Sequence, residues 1–191
     1  MLFRNIISRI IVSSALLASS FVNECLANKI VFFKQNQEWN SYLIVADDGN
    51  NVPRMCTVTN YYNTIVNLCL DYTNNSYIPF LHIEKTGARK NDPDTRNYTI
   101  KVQGRIDSKP KFYSDGNIYD KDGGRFIYLG SGFGTRFIDE AIDGDFFRIK
   151  LDMDDDEIPV IKFSLAGFTF AYKRIINTLI KHSKHDENYF Q

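Results

Sequence analysis

Few residues in this 191-residue chain could do covalent chemistry: the cysteines Cys25, Cys56 and Cys69, and the histidines His82, His182 and His185. A nucleophilic enzyme needs a Ser or Cys within reach of a base. His182 and His185 fall near the C-terminus, and His82 sits in the apolar run YIPFLHIEK, where it reads as a sheet-face residue rather than a general base. No catalytic residue is assigned on this ground. The carboxylates Asp139 and Glu140 keep open a hydrolase or lyase on a β-framework.

Two clusters offer oxygen ligands, Asp152 with Asp154, Asp155, Asp156 and Glu157, and Asp115 with Asn117, Asp120 and Asp122. Neither has the spacing of a calcium-binding EF-hand loop, which ends on a glutamate ligand. Both read as solvated hairpin tips, so no metal and no cofactor is assigned. Gly130-Ser131-Gly132-Phe133-Gly134 resembles a phosphate loop only in its glycine content. A nucleotide loop follows a strand in a parallel βαβ unit, and the flanking pattern here is antiparallel.

The cysteines are interpreted through the N-terminus. Residues 1–27 have the three-part build of a signal peptide: Arg4 and Arg9, an apolar run over 10–22, and a polar approach to Leu26-Ala27. That run is about thirteen residues, short of the roughly twenty that span a bilayer. The mature chain is expected to begin near Asn28, in the periplasm or outside the cell, with no stable membrane insertion after cleavage. Val22-Asn23-Glu24 is a poor lipidation context for Cys25. Cleavage discards Cys25 and leaves Cys56 and Cys69, which are expected to pair in an oxidising compartment. Such a short loop gains about 3 kcal/mol from closure.

The full chain carries 23 basic and 23 acidic side chains, and without Arg4, Arg9 and Glu24 of residues 1–27 the remainder has 21 against 22, a net charge of about minus one. No overall field drives the protein onto nucleic acid or anionic lipid, so a partner is met by local contacts.

The elements that must position these residues are mostly extended. Short β-branched and aromatic runs, broken by Asn, Asp and Gly, predict strands over 39–46, 52–60, 64–72, 77–85, 97–103, 111–113, 125–129, 145–152 and 158–164. Tight turns are expected at 47–51, 114–117 and 122–124. Cys56 and Cys69 then lie on successive strands and staple one hairpin. A short helix over 135–142 is closed by Asp143-Gly144, with Gly144 as a left-handed cap. A second helix over 165–181 places Leu165, Phe168, Tyr172, Ile175, Ile176, Leu179 and Ile180 on one face and Lys173, Arg174 and Lys181 on the other. The fold class is mainly β: an antiparallel β-sandwich of two packed sheets with a short internal helix and a C-terminal amphipathic helix. It forms a single domain over 28–184, with a frayed tail over 185–191.

Trp39 and Cys56, the helix–glycine–strand order through Gly144 to Ile149, and the closing Ser164-Leu165-Ala166-Gly167-Phe168 turn together resemble the invasion-associated locus B family of small exported bacterial proteins. The resemblance follows the order of elements over most of the mature chain, and its specific part is 158–176. It departs in lacking a second, late cysteine pair and in the residues around Cys56. It implies a non-enzymatic envelope protein linked to host-cell invasion or colonisation, whose partner is an envelope or host-cell protein. Read physically, Ser164 can accept a backbone N–H at the helix start, Gly167 allows close approach to the sheet, and Phe168 fills the space beneath.

The polar stretch over 87–96, with Arg89, Lys90, Asp92 and Asp94, is the candidate binding loop. It is also the segment by which the protein could act as an enzyme inhibitor. Tyr61 and Tyr62 are the expected site of an exposed aromatic patch.

Overall fold

The computed structural model describes residues 28–46, 51–61, 64–73, 76–84, 98–121, 124–152 and 160–187. The strands are β1 (Asn28–Asn36), β2 (Trp39–Ala46), β3 (Asn51–Tyr61), β4 (Thr64–Thr73), β5 (Ser76–Glu84), β6 (Tyr98–Ile106), β7 (Phe112–Lys121), β8 (Gly124–Leu129), β9 (Phe146–Asp152) and β10 (Ile161–Ser164). Helix α1 (Ser131–Ala141) lies between β8 and β9, and helix α2 (Phe168–Glu187) follows β10.

The protein is mainly antiparallel β, as expected, but its layers belong to one hydrogen-bonded ladder in the order β1-β2-β3-β4-β5-β8-β7-β6-β9-β10. The two separate sheets expected from the strand count are thus the two ends of a single sheet. Its far end folds back, so that β10 packs near β3 and the indole N–H of Trp39 in β2 donates to the Ser164 carbonyl 3.1 Å away.

Register explains the core. Successive side chains of a strand point to opposite faces. Met55 opposes Leu70, Leu68 opposes Leu81, Leu81 opposes Ile127, and Ile127 opposes Ile118, all on the inner face. Val102 opposes Leu151 and Phe147 opposes Phe163, which carries the same face to the far end. These residues form one cluster with Phe133, Phe137 and Ala141 of α1 and Phe168, Ala171 and Ile175 of α2. Both helices therefore cover the inner face, where Phe137 meets Phe147 at 4.9 Å and Phe168 at 5.6 Å between ring centres.

Several expectations are corrected. Residues 114–117 are not a turn, since β7 runs through them. Gly116 faces inward, where an added Cβ would sit 2.8 Å from Val102 Cγ2, while outward-facing Asp115 pairs with Lys101 at 2.5 Å. The glycine that looked like a turn residue is a packing residue. Gly144 is not a left-handed cap either, because Gly167 is the described glycine with positive φ. Gly144 is needed because a Cβ there would meet Ile106 Cγ2 at 2.6 Å.

Strand β1 was not expected. A register shift between Val31 and Lys34, with Phe32 at φ 55°, breaks its period-two pattern. Helix α1 begins four residues before the expected 135, at Ser131, so the glycine-rich segment forms its first turn. Helix α2 continues to Glu187, into the stretch expected to fray. Arg174 is not on a solvated face, since it donates to the Ser41 carbonyl and hydroxyl, each at 2.9 Å, and to the Phe32 carbonyl.

Candidate functional site

The closing turn assembles as a structural corner. Ser164 Oγ accepts the Ala166 N–H at 3.2 Å, Glu38 N–H donates to the Ala166 carbonyl at 3.2 Å, and the rings of Trp39 and Phe168 meet edge to face at 5.0 Å. Gly167 has φ +88°, and a Cβ on it would collide with the Asn36 carbonyl. Leu165 is buried beside it. Trp39, Ser164, Leu165, Gly167 and Phe168 are thus brought together, with the Ser164 hydroxyl capping the turn that precedes α2 rather than the helix itself.

The other notable region is the outer face, away from both helices. Cys56 opposes Cys69 across β3 and β4, with Cα atoms 4.2 Å apart, and the two are joined in a disulfide as the sequence led us to expect. The same row continues from Cys69 to Phe80 and on to Tyr128 and Asn117. Tyr42, Cys56, Cys69 and Phe80 form a second buried cluster, distinct from the main core. One row away Arg54 opposes Asp71, and its Nε and Nη2 donate to the two carboxylate oxygens at 2.5 and 2.8 Å. Its guanidinium lies 4.9 Å from the centre of the Phe80 ring.

Burial opposes the charge on Arg54, but the Asp71 carboxylate outweighs it and holds the guanidinium pKa above its ordinary value. Partial burial, helped by Asp71, pushes the Tyr128 phenol up. On the other side of the staple, His82 stacks on Phe126 at 4.4 Å and 13°. Burial lowers its pKa, with Glu84 working against that and Arg54 with it, so the ring is neutral near pH 7. Tyr119 and Tyr128 meet edge to face at 5.6 Å, about 40% and 37% exposed, and form the accessible rim of this patch.

In this arrangement both sulfurs are in the bridge, and the Arg54 and Asp71 charges satisfy each other. The remaining sequence-derived candidates stay dispersed. Asp139 is exposed, while its neighbour Glu140 turns to accept Arg136 Nε at 2.8 Å. Adjacent residues on a helix do not face each other, so the two carboxylates do not converge. Asp115 and Asp120 belong to opposite faces of β7 and pair with Lys101 and Arg125. Among the described residues no group of three His, Cys, Asp or Glu side chains could hold a metal ion.

Tyr61 is half-buried against the main core rather than part of a surface patch. Arg89, Lys90, Asp92, Asp94, Tyr62 and the acidic residues 154–157 lie outside the described residues. No described helix is long and apolar enough to cross a membrane.

The Arg54–Asp71 pair was legible in principle. Antiparallel register keeps the sum of paired residue numbers constant. Placing Cys56 opposite Cys69 therefore already placed Arg54 opposite Asp71. The doubly buried centre had a signal too: Val66-Asn67-Leu68-Cys69-Leu70 lacks the alternation of a strand with one wet face.

No known protein family, curated protein or solved structure matches the chain.

Proposed function

We propose that this chain is an exported, non-enzymatic binding protein of a bacterial envelope, a divergent relative of the invasion-associated locus B proteins, which engages an envelope or host-cell component in the periplasm or outside the cell. The observation that carries the reading is the Cys56–Cys69 bridge beneath a second ordered layer on the outer face. A disulfide of this kind persists in an oxidising compartment, in keeping with the signal-like residues 1–27. A face built on strands and clamped covalently loses little freedom on binding, which favours recognition. The role in invasion or colonisation rests on the family resemblance.

The test is to fractionate expressing cells and measure the intact mass of the non-reduced product. We expect a chain starting at Asn28 in a soluble envelope or extracellular fraction, with both remaining sulfurs joined. An unprocessed chain in the cytosol with free thiols would contradict the reading.

A further inference from the structure

Further round the outer face the electrostatics reverse. Arg105 of β6 opposes Arg148 of β9, and Arg148 opposes Lys162 of β10, so three cations stand side by side in one row across adjacent strands. Neighbouring strands are about 4.8 Å apart. Like charges directly opposite each other destabilise a sheet. Lys150 lies on the same face one row away, opposite Gln103.

None of these four cations makes an ion pair among the described residues. Two described carboxylates near the row are engaged elsewhere or displaced. Asp107 accepts the N–H groups of Asp145 and Phe146, at 2.9 and 3.0 Å, and Asp152 lies opposite Lys101. Arg105 donates through Nη2 to the Ser108 carbonyl at 3.2 Å, but its Nε is buried with no acceptor. Lys162 Nζ sits 3.5 Å over the Phe146 ring, which holds it in place without neutralising it. Among the described residues, then, no carboxylate forms an ion pair with this row.

We infer that the β6–β9–β10 face is a binding site for the phosphate or sulfate groups of an anionic glycan. The inference deepens the binding reading above by naming the chemistry of a partner. Arginines side by side suit oxyanions, because each guanidinium presents paired donors to two oxygens. The site is an extended surface rather than a cleft, so it fits a ligand carrying several oxyanions along its length. Gln103 and the 70%-exposed Tyr113 opposite it add a hydrogen-bonding amide and an aromatic face beside the row, suited to sugar hydroxyls and the apolar side of a sugar ring. That combination favours a glycan over a lipid surface.

The test is calorimetric titration of the mature, bridged protein with a heparin-derived octasaccharide at low salt, alongside uncharged maltooctaose and phosphatidylglycerol vesicles. We expect saturable heparin binding that weakens as salt rises, no maltooctaose binding, and weaker vesicle binding. Arg148→Gln should reduce heparin affinity at least tenfold, and Arg148→Lys should restore part of it. Thermal melting supplies a second readout: Arg148→Gln should melt no lower than the parent, because it relieves opposed charges. Tighter binding to vesicles than to heparin, or heparin affinity unchanged by Arg148→Gln, overturns the inference. So does an absence of heparin binding by a correctly exported and bridged protein, and that result leaves the reading above standing, since that reading fails by fractionation.

Discussion

Two arginines on the same face of one sheet meet opposite neighbours. Arg54 faces Asp71 across β3 and β4 and is held by two hydrogen bonds beside a disulfide. Arg148 faces Arg105 on one side and Lys162 on the other. The first arrangement neutralises a partly buried charge and so serves the fold. The second sets like charges opposite one another, which costs stability, and among the described residues it has no ion-pair partner. Among the described residues, the outer face thus holds one place where opposed charges are paired and one row where they are not.

The largest effect that sharpens this contrast comes from the staple. Replacing both cysteines, Cys56→Ala with Cys69→Ala, should lower unfolding free energy by about 3 kcal/mol, the entropic gain of a short closed loop. Denaturant titration reads this directly, and a loss under half that size would mean the β3–β4 hairpin is held by its hydrogen bonds alone.

Arg54→Ala comes next, at about 2 kcal/mol, because it strands a mostly buried carboxylate that had two charge-assisted bonds. The same experiment on Arg148→Gln is expected to give a gain of a few tenths of a kcal/mol. Equal losses at the two positions would erase the distinction drawn here.

His82 gives a pH signature for the stapled region. Its folded pKa is below the ordinary 6.5, so the unfolded chain binds the proton more readily. Stability is therefore full above about pH 6.5 and declines as pH falls through that value towards the folded pKa, by at most about 1.4 kcal/mol per pH unit. His82→Gln should remove that part of the slope in a series of melts between pH 5 and pH 8. A slope unchanged by the substitution would place the titrating group elsewhere.

How far the sequence could be read depended on whether a residue's job was local. The Ser164–Phe168 corner was legible because its glycine and serine act within one turn, and the Cys56–Cys69 staple because two thiols on successive strands leave one pairing. Gly116 misled because asparagine, aspartate and serine around it imitate a turn, while their real placement depends on β6 and β8. Arg105 and Arg148 are separated in sequence by β7, β8 and α1, and Lys162 lies on the next strand, β10. No pairing anchored their register in advance, so their alignment became visible only with the whole ladder in place.

The most direct test of this contrast on the outer face is an amide chemical-shift map of the bridged protein titrated with the heparin-derived octasaccharide. The account predicts shifts confined to β6, β9, β10 and the adjoining end of β7, with β3 and β4 around Arg54 and Asp71 silent. Shifts centred on β3 and β4, or spread evenly over both regions, would contradict it.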